Sequence, residues 1–305
     1  MMLISVDHGN KQIKTVHSKP FTSGLRESAT LPFGEDILRY QDKYYTLSNE
    51  RIPYRRDKTE DERFFILTLF AIASEIEARG FHTEEVVHIQ LAIGLPPAHY
   101  GAQHKTFVRY FSERGVVKFE FRKRPYAIYI ENVACFPQAY AAAVTVFQSL
   151  CDCPKALILD IGGFTADYLL MKNGRADLSS CDSLENGVIL LYNKIKSKVN
   201  AEMDLLLEES DIDAILNGAR ENHSPAVVDT VEKQAQTFIN DLFSTLRERM
   251  LDPRSGKTVF VGGGAILLRH QIEQSGKVET ALFVEEINAN AEGYELLYQI
   301  DQAGR

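Results

Sequence analysis

The chain has 305 residues, enough for two ordinary domains or for one two-lobed domain with a cleft. Hydrophobic residues make up 45% and charged residues 25%, with no low-complexity tract, so the chain is expected to fold throughout. A formal net charge of -8 with scattered basic residues excludes a broad phosphate-binding surface, so direct nucleic-acid binding is not expected.

From the N-terminus, Leu3 to Val6 is a short apolar run, Asp7, His8, Gly9 and Asn10 form a turn signal, and Ile13 to His17 alternates. This predicts strand, tight turn, strand. Between Ser28 and Leu47, alternating runs broken at Pro32, Gly34 and Gln41 to Lys43 predict two or three short strands. Asp61 to Arg79 has the apolar density of a helix, opened by a capping box of Thr59 and Glu62 and closed by Gly80. Val86 to Ile93 is a β-branched run leading through Gly94, Leu95, Pro96 and Pro97 into a loop. Val116 to Phe121 and Ala127 to Val133 read as strands, and Pro137 suits the first turn of an Ala-rich helix ending at Leu150.

Ala156 to Asp160 is another apolar strand stopping at an acid, followed by Gly162, Gly163 and a strand from Asp167 to Met171 that turns at Asn173 and Gly174. Helices are expected over Gly187 to Val199, Glu202 to Glu208, Ile212 to Leu216 and Pro225 to Leu251. Thr258 to Val261 is a third apolar strand, ending in Gly262, Gly263 and Gly264 ahead of a helix from Ala265 to Ser275. A strand at Leu282 to Val284 and a helix from Ala291 to Asp301 complete the chain. The unit of strand, acid, turn and glycine at Asp7 recurs at Asp160, which predicts two homologous halves with a ligand in the gap between them.

Gly9, Gly162 and Gly163 stand where the chain reverses tightly and brings backbone N–H groups together, an arrangement that suits polyphosphate oxygens. Asn10, Lys11, Lys14 and Thr165 add side-chain donors. Asp7 and Asp160 each end a buried strand, and magnesium takes such carboxylates, directly or through water, together with phosphate. Ordinary glycine hairpins with solvated strand-end acids would carry the same residues. VFVGGGA, Val259 to Ala265, lets the main chain approach a flat ligand at a helix start, and matches neither a P-loop nor a dinucleotide fingerprint. Of Cys135, Cys151, Cys153 and Cys181, only the C-x-C pair is close, a poor zinc signal, so buried or partly buried free thiols are expected. Met1 to Lys14 lacks a basic region followed by an apolar core, and no apolar run approaches spanning length, so a cytoplasmic protein without membrane contact is expected.

Together these segments resemble the five-part pattern of the actin, sugar kinase and heat-shock chaperone superfamily. Asp7 to Lys14 resembles the first phosphate loop, Phe136 to Ala142 the first connecting helix, and LILDIGGFTAD, Leu157 to Asp167, the second phosphate loop. VFVGGGA resembles the adenosine motif and INANAEG, Ile287 to Gly293, the second connecting helix. Within the superfamily, LAIGLPPAHY (Leu91 to Tyr100), DSLENGVILLYNKI (Asp182 to Ile195) and the short chain resemble the ParM/StbA-type plasmid segregation proteins.

The resemblance implies an α/β, actin-like fold: two homologous lobes, each a mixed β-sheet flanked by helices, with a nucleotide cleft between them. Lobe I is expected at 1–155, with a small subdomain at about 30–85 and closure by the C-terminal helix 286–305; lobe II is expected at 156–285, with a helical subdomain at about 190–255. It implies an ATPase whose catalytic residues are Gln138, which would orient the attacking water, and Asp160 and Asp7, which would hold Mg2+ through its water. Nucleotide contacts are implied for Gly9, Asn10, Lys11, Gln12 and Lys14, for Gly162, Gly163, Phe164 and Thr165, for Glu185, Asn186 and Lys194, and for Gly262, Gly263, Gly264 and Ala265. His8 and Lys11 depart from the small or hydroxyl residues common in relatives. The implied partners are further copies of the chain, in filaments, and a DNA-binding adaptor of the ParR type. The cofactors are ATP and Mg2+, with GTP not distinguished from ATP. A small-molecule kinase of the same superfamily and a non-hydrolysing nucleotide-binding scaffold are the alternatives.

Overall fold

The run from Leu3 to Val6 is apolar because both faces of its strand are covered. In the computed structural model, which describes residues 1–81 and 85–303, β1 (Met2–His8) is buried from Ile4 through His8. Residues 82–84 of the small subdomain expected at about 30–85, and residues 304–305 of the C-terminal helix expected at 286–305, fall outside the described residues. β1 turns back antiparallel into β2 (Gln12–Thr15), with β3 (Phe21–Thr22) beside it. Asp7 and His8, expected in the turn, belong to the strand, because they pair across it with Lys14 and Ile13 and leave only Gly9 to Lys11 for the reversal.

β4 (Leu25–Ser28), β5 (Ile37–Tyr40) and β6 (Lys43–Leu47) form an antiparallel set. α1 (Arg63–Ala78) is buried at nearly every position from Phe64 to Ile76, as its almost unbroken apolar sequence requires. The expected capping box is absent: the Thr59 hydroxyl donates to Asp57 at 2.7 Å, and the residue at the helix start, Glu62, makes no side-chain cap. Asp57 offers Thr59 a nearer local acceptor than the helix end does.

β7 (Val87–Leu95) continues through Gly94 and Leu95, and the expected loop after it is instead α2 (Pro97–Ser112), with Pro97 in its first turn. Only Phe107 and Phe111 of α2 are fully buried, too thin an apolar stripe to read as a helix. β8 (Val116–Phe121) and β9 (Arg124–Pro137) flank a turn in which Arg122 and Lys123 both have positive φ. Arg122 bonds Asp36 at 2.6 Å and Glu77 at 2.7 Å, so the basic cluster there ties elements together. Pro137 ends β9, paired with Leu95, and does not open a helix; α3 (Tyr140–Thr145) starts later and a 3-10 turn at Phe147–Ser149 follows it.

These strands make one sheet in the order β3-β2-β1-β7-β9-β8-β5-β6-β4, in which β1, β7 and β9 run parallel. Chain contacts separate it, as Met1–Thr145 with Asn288–Arg305, from a second unit, Val146–Ile287.

The second unit repeats the plan of a hairpin beside a parallel strand. β10 (Lys155–Ile161) is apolar and buried, and it turns antiparallel into β11 (Ala166–Lys172) through residues 162–165. β12 (Arg175–Leu184), which no apolar alternation announces, adds to β11 with a register shift between Leu169 and Leu170. α4 (Val188–Met203) extends past the expected end at Val199. The expected helix over Glu202 to Glu208 does not form, because Asp204 takes a left-handed conformation (φ 51) and ends α4. α5 (Glu209–Leu216) opens on a capping box of Glu208 and Asp211, and α6 (Pro225–Glu248) on Ser224 and Pro225. β13 (Lys257–Val261) runs parallel to β10. The expected helix from Ala265 is α7 (Gly263–Leu267) and α8 (Arg269–Gln274), interrupted at Leu268. β14 (Thr280–Phe283) closes the sheet β12-β11-β10-β13-β14. The chain then returns to the first unit as α9 (Ala289–Ala303), which packs on α3, β1 and β7.

The four cysteines stand outside any disulfide; Cys151 is exposed, against the expectation of burial, since it lies in a turn after the 3-10 segment. Among the described residues, no helix is long and apolar enough to cross a membrane.

Candidate functional site

In the first unit the polar groups gather at the end of β1. Alternation along the strand sends Asp7 and His8 to opposite faces. Asp7 is buried; its Oδ1 accepts from Nε2 of Gln138 at 2.8 Å, and Nζ of Lys14, its cross-strand partner, lies 3.7 Å from Oδ2. A carboxylate only accepts, so this bond fixes the Gln138 amide and leaves its Oε1 as an acceptor. Three residues assigned from sequence therefore meet at one point.

His8, the odd residue in the phosphate-loop pattern, is packed among Phe64, Phe107 and Phe111. The Thr68 hydroxyl donates to the Phe64 carbonyl at 2.7 Å, so His8 Nε2 is the donor in its 2.7 Å bond to Thr68 Oγ1. Nδ1 is then an unprotonated, buried acceptor without a partner. Burial, with Lys58 adding to it, holds the imidazole pKa well below 6.5, and His8 is neutral. A large aromatic at this position is thus accommodated by the core.

The loop itself is braced from below. The Ser23 hydroxyl donates to the Gly9 carbonyl at 2.5 Å, the Ser23 N–H donates to the Lys11 carbonyl at 3.1 Å, and buried Lys58 donates to the His8 carbonyl. A β-carbon on Gly9 would stand 2.6 Å from the Gln12 carbonyl oxygen, so the reversal requires glycine. Asn10, Lys11 and Gln12 are half-buried. Ser23, Lys58 and Thr68 carry no motif, and sequence reading missed them; they are brought to the loop by pairing and by α1.

In the second unit the counterpart is the end of β10. Asp160 is buried, and Asp167 on β11, also buried, stands opposite it in the ladder. Two acids side by side favour a nearby cation. The loop between them is tied down by backbone bonds: Gly162 N to Thr165 O at 2.8 Å, Gly187 N to Phe164 O at 2.8 Å, Val188 N to Gly162 O at 3.1 Å and Ile189 N to Gly163 O at 2.9 Å. The first N–H groups of α4 thus hold loop carbonyls, and Gly187 and Gly163 approach too closely for a side chain on Gly187.

The three consecutive glycines divide by role. A β-carbon on Gly262 (φ +87) would overlap Oδ1 of Asp160, and one on Gly264 would stand 2.6 Å from the Ile161 carbonyl oxygen. Gly263 is exposed and faces open space, while Ala265 is buried. Two of the glycines therefore let α7 lie against β10, and the middle one leaves its backbone open at the surface. Glu185 and Lys194 are exposed and Asn186 half-buried, on the link from β12 and on α4. Asp182, in the same segment, pairs with Arg249 at 3.0 Å.

Among the described residues no group of three or more His, Cys, Asp or Glu side chains converges as a metal cage. A resident magnesium would take one or two carboxylates and fill its remaining positions with phosphate oxygens and water, which is the usual habit of that ion. In each unit taken by itself, a buried strand-end carboxylate, Asp7 beside the reversal at Gly9 and Asp160 beside the loop 162–165, is of the kind such an ion takes.

Two family models match the chain: Actin like proteins N terminal domain over residues 5–140, and Archaeal actin homologue MreB-like, C-terminal, over residues 158–274. The chain is an actin-like protein. Its fold is also that of solved actin homologues. The archaeal actin homologue Ta0583 in complex with ADP superposes with a TM-score of 0.73 at 16% identity, covering 98% of this chain and 100% of that one. A 15-stranded ParM filament from Clostridium botulinum gives 0.74 at 16% identity, over 97% and 99%. The actin-like protein Alp7A gives 0.76 at 15% identity, over 99% and 98%. No protein of curated function is matched by sequence. In this actin-like chain the N-terminal match contains Asp7, Lys14 and Gln138, and the C-terminal match contains Asp160, the loop 162–165 and Gly262 to Ala265.

Proposed function

We propose that the chain is a polymerising actin-like ATPase of the ParM kind, which binds ATP with magnesium and assembles head to tail into filaments. The observation that carries this reading is the bond from Gln138 to Asp7, which holds a neutral amide at a strand-end acid beside a glycine loop. ADP is bound by the archaeal homologue Ta0583, and the Clostridium botulinum ParM is a filament.

Each residue's part follows from its chemistry. Gly9 to Gln12 and Gly162 to Thr165 offer backbone and side-chain donors to phosphate oxygens, and Lys14 adds a charge. Asp7 and Asp160 would be the carboxylates that hold magnesium through its water, and the ion would supply neutralisation of phosphate charge. Gln138 Oε1 accepts a hydrogen from the attacking water and orients it; a neutral amide is too weak a base to deprotonate it. Gly263, with Gly262, Gly264 and Ala265 behind it, lines the adenine side, and Glu185, Asn186 and Lys194 reach ribose and base.

Heterologous contacts that do not close generate filaments, so assembly needs only one repeated head-to-tail contact. An acidic chain of net charge -8 in the cytoplasm would reach plasmid DNA through a separate basic adaptor, of the ParR type. The test is phosphate release and light scattering by purified protein with Mg-ATP, with Mg-GTP in parallel, for wild type and Gln138→Ala. Turnover and scattering that need nucleotide, with turnover lost in Gln138→Ala, support the reading. Binding without turnover in both proteins supports a scaffold, and phosphate transfer to a small acceptor without polymer supports a kinase.

A further inference from the structure

The residue after Gln138 is in an unusual state. Ala139 has φ 61, a left-handed conformation that a residue with a β-carbon rarely adopts without support. The β9 ladder ends one residue earlier, where Gln138 N donates to the Leu95 carbonyl at 2.8 Å, and the helical pattern of α3 begins one residue later. The Ala139 N–H is therefore left to neither element. It donates to Oδ1 of Asn290, a buried side chain in the first turn of α9, at 3.1 Å. Because an N–H only donates, the orientation of the Asn290 amide is determined by this contact.

The same stretch of chain also grips the phosphate-loop hairpin. Nδ2 of Asn288 donates to the Val16 carbonyl at 3.1 Å, just past the end of β2. Farther along α9, Gly293 lies so close to the Ala141 carbonyl that no side chain fits between them. The start of α9 is thus fastened both to the strand that carries Lys14 and to the turn that carries Gln138. Neither family-model match extends to it.

We infer that Asn290 is a positioning residue for hydrolysis: by holding Ala139 left-handed it turns the Gln138 side chain onto Asp7. This rests on the proposed ATPase reading. Without the Asn290 oxygen, the Ala139 N–H regains an acceptor only if the turn rotates, and rotation moves Gln138 away from the strand-end acid. Glycine at position 139 removes the steric cost of the left-handed state, though it supplies no acceptor, so it offsets the backbone part of the loss.

The experiment compares wild type, Asn290→Ala and the double variant Asn290→Ala with Ala139→Gly. Phosphate release at saturating Mg-ATP, KM, affinity for a fluorescent ATP analogue, and nucleotide-free hydrogen exchange of the peptide containing Ala139 are measured on each. Asn290→Ala is expected to lower kcat about tenfold with KM and affinity within about threefold, and to speed exchange at Ala139 about tenfold. The double variant is expected to regain part of kcat. Should Asn290→Ala fail to fold, Asn290→Ser, too short to reach Ala139, is read in its place. Unchanged kcat or exchange in the single variant, or a loss the glycine does not repair, overturns the positioning role alone. Absence of phosphate release from wild type overturns the ATPase reading and the positioning role with it.

Discussion

Gly262 lies against the Asp160 carboxylate so closely that a β-carbon would overlap Oδ1. Its left-handed φ of +87 sets a second demand for glycine at the same position. The acid at the end of β10 and the first of the three glycines are therefore one structural unit, and α7 reaches its place only because residue 262 has no side chain.

Gly262→Ala is accordingly expected to lower stability by about 3 kcal/mol, the combined effect of an unfavourable backbone region and an overlap with a fixed carboxylate. Gly263→Ala, with open space around it, is expected to change stability by no more than about 0.5 kcal/mol. Urea unfolding of the two variants, monitored by circular dichroism, checks both. Equal losses would mean that the overlap is relieved by a shift of α7.

Buried His8 makes stability depend on pH. Its folded pKa lies well below the unfolded value of 6.5, so below 6.5 the unfolded chain binds a proton that the folded chain does not. Stability from this group is complete above that pH and falls as pH decreases, by up to about 1.4 kcal/mol per unit, until the folded pKa is reached. Stability is therefore expected to be lower at pH 5 than at pH 7. His8→Leu is expected to remove this part of the slope, which unfolding curves at the two pH values measure directly.

Glu75, fully buried on α1, accepts from the N–H groups of His17 at 2.6 Å and Ser18 at 3.0 Å and pairs with Arg79 at 3.0 Å. Burial pushes its carboxyl up, but the bonds from Thr15, His17 and Arg79 outweigh that and hold it below its ordinary value. Its contribution is therefore present above the unfolded pKa near 4.5 and lost as pH falls through the lower folded one. Glu75→Leu leaves two backbone donors without their acceptor and is expected to cost about 3 kcal/mol near neutral pH, read from thermal or urea unfolding.

Lys14→Met tests the phosphate role proposed for that side chain. The 3.7 Å pairing with Asp7 is largely buried, so removing the ammonium leaves that carboxylate without its counter-charge and is expected to lower nucleotide-free stability by about 2 kcal/mol. Loss of a charge-assisted contact to phosphate is expected to weaken ATP binding about tenfold or more. Titration with a fluorescent ATP analogue decides it; unaltered affinity would remove Lys14 from the site.

The sequence by itself determined the strands that end in acids and the glycines that follow them. Ile4, Val6 and Ala156 to Leu159 are apolar because central strands bury both faces, and Gly9 is glycine because the Gln12 carbonyl leaves no room for a β-carbon there. Those are local demands, written into consecutive residues, and they were sufficient to reveal the resemblance to actin-like proteins. What lay outside that reading depended on partners distant in the chain. Pro137 belongs to a strand because Leu95 pairs with it, Ala139 is left-handed opposite Asn290, 151 residues away, and His8 is a core residue because Thr68, Phe107 and Phe111 surround it. Hydrogen-bond acceptors and aromatic walls supplied from remote elements leave no periodicity in the sequence, so only the tertiary structure decides where those side chains point.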